Sequence, residues 1–338
     1  METTDQLMEK LSEPSADLIE MMKTLDGDIM ILGVGGKMGP SLAIKAVRAI
    51  REAEVEKKVI GVSRFSDPNS IDELESFGVE TIKADLMNES SLNSLPKIKN
   101  IIYMAGKKFG TNNNESFTWA MNSYLPGRIC NHFSSSRIVA FSSGNIYPFM
   151  SPQSGGANED TPPEPIGEYA QSCLGRERIF EYFSIINQIP MVFFRLNYAV
   201  ETRYGVCLEI AQNVLNERPI DLTTGFVNVI WQGDANDQAL RSLEYCSTPV
   251  KRLNITGPEV VSIRWLATQF GNRFNKEPVF INEEANSTLL NNASLSHKLF
   301  GYPSVSLKQI IDWTADWVLG EGIVLNKPTH FQERKGSF

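Results

Sequence analysis

Four cysteines and three histidines are all that this chain of 338 residues offers toward soft-metal ligation, and they form no cluster with metal-ligand spacing. Cys130, Cys173, Cys207 and Cys246 form no CxxC pair, and His132, His297 and His330 are equally scattered. Neither a zinc site nor a disulfide framework is expected from such spacing. Basic residues are also scarce: 32 Lys and Arg against 40 Asp and Glu leave a formal charge of −8. A surface that grips nucleic acid needs clustered cations, so nucleic acid is not an expected partner. No run of 18 apolar residues occurs, and no membrane-spanning helix is expected. The opening residues lack a basic stretch followed by an apolar one, so no signal peptide is expected and the expected compartment is the cytoplasm. Internal repeats and low-complexity tracts are missing as well.

The remaining composition is ordinary for a globular protein, with 42% hydrophobic and 21% charged residues. The length exceeds the usual domain of roughly 100–200 residues, which predicts two units or one large unit with a lobe. Short apolar runs at Asp28–Leu32, Lys58–Val62, Glu80–Lys83, Asn100–Met104, Arg137–Phe141 and Pro190–Leu196 read as six strands. Helical apolar spacing falls between them, over Ser41–Ile50, Glu115–Phe133 and Glu168–Asn187. Strands alternating with helices imply an α/β fold, a doubly wound parallel sheet covered on both faces.

Beyond Leu196 the alternation weakens, with a helix near Leu208–Glu217 and a short strand at Phe226–Trp231. The predicted organisation is a dinucleotide-binding domain over 27–200, with a returning segment near 223–240. A smaller substrate lobe takes 201–222 and 241–338, and 1–26 form a helical extension. In that extension Leu18, Ile19, Met21, Met22 and Leu25 follow Ser15 and Asp17, the pattern of a short amphipathic helix. It packs on the sheet or serves a dimer contact, and a homodimer is expected. The loop Pro148–Ile166 is longer than an ordinary connection of about 2–6 residues, as functional loops often are. At the C-terminal end, Lys327–Phe331 and the last few residues read as a loose tail, or one that closes over a site or clasps a neighbour.

The first strand ends in Gly33-Val34-Gly35-Gly36-Lys37-Met38-Gly39. Gly33 permits the tight turn, Gly36 lets the backbone approach a pyrophosphate, and Gly39 allows helix and strand to pack closely. Lys37 and Met38 open a helix whose N-terminal amides and partial positive charge suit an anion. A dinucleotide site also needs a ribose contact after the second strand, where an acidic residue would bond the 2′-hydroxyl of NAD. This chain has Ser63-Arg64 there. Arg64 would pair with a 2′-phosphate and Lys37 would add a second cation, so NADP is the expected cofactor, with NAD as the alternative.

The glycine loop, Ala84-Asp85-Leu86 after the third strand, Met104-Ala105-Gly106 after the fourth and Phe141–Tyr147 after the fifth come in a familiar order. Together they resemble the extended short-chain dehydrogenase/reductase family, whose members include nucleotide-sugar epimerases, dehydratases and reductases. The resemblance spans roughly 28–240. It implies a Rossmann fold in which Asp85 and Leu86 border the adenine and Ala105-Gly106 run under the cofactor. It implies that Ser143 is the catalytic hydroxyl and Tyr169 the tyrosine of the family's YxxxK, acting on a sugar, nucleotide sugar or sugar acid.

At the lysine of that motif this chain carries Cys173. A phenol with an ordinary pKa near 10 needs a nearby cation to exchange protons near neutrality, and a thiol is not one. Three readings stand. Lys107 or Lys108, directly after the fourth strand, enters the site, although charged loop residues are usually solvated. Arg176, seven residues from Tyr169 and on the same helical face, supplies the charge. Or the chain binds NADP and is catalytically silent, a sensor or a partner protein.

Overall fold

The computed structural model describes residues 3–337 apart from Pro68, Phe109 and Pro328. Seven strands form one parallel sheet: β1 (Ile29–Leu32), β2 (Val59–Ser63), β3 (Glu80–Lys83), β4 (Asn100–Tyr103), β5 (Arg137–Ser143), β6 (Met191–Leu196) and a seventh over Lys251–Ile255. Their spatial order is β3-β2-β1-β4-β5-β6 and then the seventh. The order reverses between β1 and β4, the point at which doubly wound sheets open a crevice beyond their C-terminal strand ends. The central strands are buried along their whole length, and β1 and β4 have no exposed residue. That is why they read in the sequence as unbroken apolar runs.

The seventh strand corrects the expected division, which gave all of 241–338 to the lobe. Lys251–Ile255 pairs in parallel with Val192–Leu196 of β6. It lies at the sheet edge, so Lys251 and Arg252 keep partial contact with water while Leu253, Asn254 and Ile255 are buried. Two charges at the start of a five-residue strand erase the apolar signature.

The extension holds two helices rather than one. Thr4–Ser12 opens on a capping box between Thr3 and Gln6, and Ala16–Thr24 opens on Ser15, whose hydroxyl accepts from the Leu18 amide. Both lie against the helices Gly39–Glu52 and Gln232–Arg241, with Leu7, Leu11, Leu18 and Met22 fully buried. The Ser15 hydroxyl and amide also donate to the Asp237 carboxylate, at 2.8 and 3.0 Å. The apolar face of the extension is thus used within the chain, and the dimer expectation draws nothing from it.

The expected helix over Glu115–Phe133 is present but widened in the middle, with α-helical Glu115–Trp119 and Leu125–His132 flanking a π-helical turn at Ala120–Tyr124. Pro126 has no amide to return to the Asn122 carbonyl. That carbonyl instead meets Arg176 Nε at 3.4 Å. Beyond β6, the helices Val206–Leu215, Ile263–Phe274 and Leu307–Leu319 pack around Ile210, Leu266, Phe270 and Ile310 as a second core.

A buried ionic network ties these layers together. The Glu177 carboxylate, on the helix Gly167–Asn187, accepts from Arg195 Nε and Nη2 at 2.9 and 2.7 Å and from the Ser142 hydroxyl at 2.6 Å. Arg195 Nη1 reaches the Tyr147 hydroxyl at 2.5 Å, which donates in turn to Asn254 Oδ1 at 2.9 Å. Glu177 and Arg195 are 1% and 4% exposed, so removing one leaves the other charged and unsolvated. Glu177→Ala is expected to cost about 3–5 kcal/mol in denaturant unfolding. A loss within the range of a surface pair, about 1 kcal/mol or less, would show that the network is not a structural tie.

Candidate active site

The glycine loop has the geometry that its three spaced glycines require. Gly33 has φ +94°, and a Cβ there would lie 2.8 Å from the Ala105 amide nitrogen and 3.0 Å from its Cα. Only glycine lets the turn after β1 lie so close to the chain leaving β4. A Cβ at Gly39 would fall 2.1 Å from the Val34 carbonyl oxygen, so helix and strand meet here without room for a side chain. Gly36 is exposed at the bend. Gly35, outside the expected three, is packed less strictly: its Cβ would lie 2.6 Å from Ser63 Oγ at the end of β2, a hydroxyl that can rotate away. The next helix starts at Met38 without a side-chain cap and with Pro40 in its first turn, leaving the positive end of its dipole on the cleft.

Two cavities meet at this loop and share Gly33, Gly36, Met104 and Gly106. The first, about 460 Å³, is lined by Ser63, Arg64, Asp85, Leu86 and Ala105. Arg64 is exposed at the end of β2, Asp85 turns its carboxylate onto the Met87 amide at 2.9 Å, and Leu86 is buried. The second, about 480 Å³, takes in Lys37, Lys108, Ser143, Asn145 and Tyr169. The expected cofactor and catalytic residues therefore divide between two chambers on either side of the glycine turn.

In the second chamber Tyr169 and Ser143 come together. Burial pushes the Tyr169 phenol well above the ordinary tyrosine value, opposed by the Arg176 charge and a hydrogen bond with Ser143. Ser143 Oγ also accepts from the Asn145 amide at 3.1 Å. Cys173, one helical turn beyond Tyr169 and fully buried, is hydrogen-bonded to the phenol, and burial pushes its thiol up too. The Lys108 ammonium stands 5.8 Å from the centre of the Tyr169 ring. Burial lowers Lys108 to about 8, opposed by Cys173.

The other candidates are placed differently. Lys107 lines neither chamber: its ammonium lies 4.9 Å from the centre of the Phe117 ring. Its backbone is clamped by Asn122, whose Oδ1 accepts from the Lys107 amide and whose Nδ2 donates to its carbonyl, both at 2.9 Å. Arg176 is a buried strut, donating to the Phe141 carbonyl at 2.8 Å and to Asn122 Oδ1 at 2.6 Å beneath Gly106. Lys37 does not join Arg64. It points into the second chamber, with Nζ 3.1 Å from the Ala199 carbonyl and 3.8 Å above the Tyr204 ring. Burial lowers it to about 7, against the pull of Glu201. The reason is the direction of the turn, which carries position 37 over the start of the helix and away from β2.

One feature escapes a reading of the sequence, and for another the sequence leaves the alternatives open. Asn122 holds the loop that carries Lys108 and also donates to the Ser172 hydroxyl at 2.9 Å, yet an asparagine within a helical stretch carries no signal. The C-terminal segment is not loose. The Thr329 hydroxyl donates to Glu209 at 2.5 Å, Phe331 is buried, and Arg334 donates to the Ser287 carbonyl at 2.7 Å. Gly336 packs on Gly167, where a Cβ would lie 2.5 Å from the Gly167 Cα. Lys327 and Thr329 line the second chamber, so the segment closes over the cleft.

Neither a family model nor a curated protein sequence matches the chain. Its fold does match solved structures. UDP-glucuronic acid 4-epimerase from Bacillus cereus, solved with NAD, is 18% identical, with 86% of this chain and 96% of that one covered at a TM-score of 0.71. UDP-glucose 4-epimerase from Thermotoga maritima, solved with UDP-glucose, is 14% identical, with 87% and 99% covered at 0.69. MoeE5 with UDP-glucose and NAD is 16% identical, with 87% and 99% covered at 0.66. The chain shares the Rossmann-type α/β fold of these structures.

Lys37 and Lys108 are each charged below their lowered values and neutral above them, so the second chamber loses positive charge in two steps as pH rises. The facing groups are Glu201, Arg203, Tyr204 and Lys327 around Lys37, and Tyr169 and Cys173 around Lys108. Side-chain carbon NMR titrations should place the two lysines near 7 and 8 and lose the upper one in Lys108→Met. Titration of both near the ordinary 10.5 would mean that neither ammonium is held out of water.

Proposed function

We propose that this chain is an NAD(P)-dependent enzyme, an epimerase or oxidoreductase acting on a sugar, nucleotide sugar or sugar acid through Ser143 and Tyr169. The observation that carries this reading is the convergence of Ser143, Tyr169 and Lys108 on a chamber that opens directly onto the glycine loop. The fold it shares with nucleotide-sugar epimerases solved with NAD supports the same conclusion.

The fit of a dinucleotide rests on the chambers themselves. Two cavities joined at Gly33, Gly36 and Gly106, beside an uncapped helix start, suit two nucleoside halves linked by a pyrophosphate. Ser63, Arg64, Asp85 and Leu86 would hold one half, and Ala105, Gly106, Met38 and Tyr169 would border the bridge and the other half. When bound, the nicotinamide supplies hydride exchange with a substrate carbon. The chain supplies the rest. Tyr169 holds a proton at its hydroxyl and exchanges it with the substrate oxygen, which Ser143 Oγ orients. Lys108 provides the charge that Cys173 cannot, and Arg176 adds to it from behind. Asn122, by fixing the backbone at Lys107, positions Lys108.

The finer choice of cofactor is NADP, carried by Arg64 alone now that Lys37 faces the other chamber. A charge-assisted bond of ~1.5–3 kcal/mol corresponds to roughly 10- to 150-fold tighter binding of NADPH than NADH. Arg64→Ala should erase most of that preference and leave NADH affinity nearly unchanged. Equal affinities in the unmodified chain, measured by calorimetry at fixed salt, would remove the assignment.

Activity is tested on a panel of sugars, sugar acids and nucleotide sugars with either cofactor. Tyr169→Phe should lower kcat by about 10²–10⁴-fold with cofactor affinity retained. Lys108→Met should lower it as well. Cofactor binding without turnover of any panel member would favour a silent binder instead.

A further inference from the structure

Charge in the second chamber is one-sided. Lys37, Lys108 and Lys327 all line it, and no aspartate or glutamate does among the described residues, in a chain whose overall charge is −8. The carboxylates just behind its lining are committed elsewhere: Glu201 is buried and paired with Arg203 at 3.1 Å, and Glu209 accepts from the Thr329 hydroxyl at 2.5 Å. Concentrating three cations where burial is costly is unfavourable unless a ligand brings negative charge. The pyrophosphate of a dinucleotide has its own seat at the glycine turn and the helix start, which leaves the lysines facing the substrate side.

One of the three comes from an unexpected place. Lys327 belongs to the C-terminal segment, and that segment is anchored on both sides of the chamber. Leu325 donates its amide to the Arg203 carbonyl at 3.1 Å, Thr329 and Gln332 bond to Glu209, and Arg334 and Gly336 dock on Ser287 and Gly167. Outward from Lys108 and Asn145, only about 30 Å³ remains between the segment and Tyr147 and Phe149.

Resting on the reading above, we propose that the C-terminal segment is the outer wall of the substrate site. In this proposal Lys327 completes, with Lys37 and Lys108, a cluster that selects a substrate bearing a carboxylate or phosphate. The two anions share the chemistry of recognition, acceptance of charged N–H donors, and differ in charge and shape. The segment adds selectivity because it carries a cation to the site and also fills space that a larger neutral ligand would need.

The test uses the full chain loaded with NADH at fixed ionic strength. Calorimetry compares glucuronate, glucose 1-phosphate and glucose. Both anions should bind at least about tenfold more tightly than glucose, as one charge-assisted contact implies. In Lys327→Ala, and in Gly336→Val, which undocks the wall without touching a charge, the preference should fall below about threefold, and Lys327→Arg should restore it. The better of the two anions identifies the group recognised. Glucose binding as tightly as the anions overturns this proposal while leaving the sugar reading intact. A preference retained in Lys327→Ala, or lost only together with NADH affinity, also overturns it. Binding of NADH with no binding of any of the three also overturns it, while the nucleotide-sugar reading stands or falls on the activity panel.

Discussion

The ion pair between Glu177 and Arg195 sets the frame in which everything else at the cleft is measured. Glu177 stands two helical turns beyond Tyr169, and its carboxylate also holds the hydroxyl of Ser142, the residue next to Ser143. One buried carboxylate therefore fixes the rotation of the helix Gly167–Asn187 against the end of β5, and with it the meeting of the Tyr169 phenol with Ser143. Arg195 extends the tie through Tyr147 to Asn254 on the seventh strand, and the Asn254 amides reach Glu159 and Ala157 in the long loop. The loop is ordered because its polar groups end on this network. A pairing so thoroughly desolvated is justified by its fixing of geometry more than by any net gain in stability.

Much of this frame is legible in the sequence because it depends on backbone rules. A buried parallel strand must be apolar on both faces, and a turn that lies against another strand must be glycine. β1, β4, Gly33 and Gly39 come directly from those rules. The seventh strand does not, because an edge strand retains a wet border and its two opening charges hide the pattern. The N-terminal extension is half legible: the apolar spacing of Leu18–Leu25 is clear, whereas Thr4–Ser12 buries only Leu7, Leu11 and Ser12.

Side-chain direction is the least accessible. Lys37 and Arg64 are both cations beside the glycine turn, and spacing alone suggests that they act together. The turn sends one over each chamber instead. Lys107 and Lys108 are adjacent and equivalent in composition, and what separates them is Asn122, which holds the backbone of the first and leaves the side chain of the second over Tyr169. At Cys173 the helix offers a thiol hydrogen-bonded to the phenol, and a cation from the loop after β4, Lys108, stands over the same ring.

Similarity at 14–18% identity with TM-scores near 0.7 shows how little of the sequence the fold requires. What it requires is concentrated: glycines where two backbones touch, a continuous apolar layer, and a few buried polar ties that cannot be left half made. Positions outside those constraints are free to change, and the chemistry of the cleft lies mostly there. The Bacillus cereus neighbour solved with NAD is covered almost in full, at 96%, while 14% of this chain has no counterpart in the match. Added segments can adjust a site without disturbing the frame, because they dock on surfaces the frame already presents. The strap from Leu325 to Ser337 docks in this way, through backbone carbonyls, one carboxylate and a glycine-to-glycine contact, none of which draws on the sheet or its buried network.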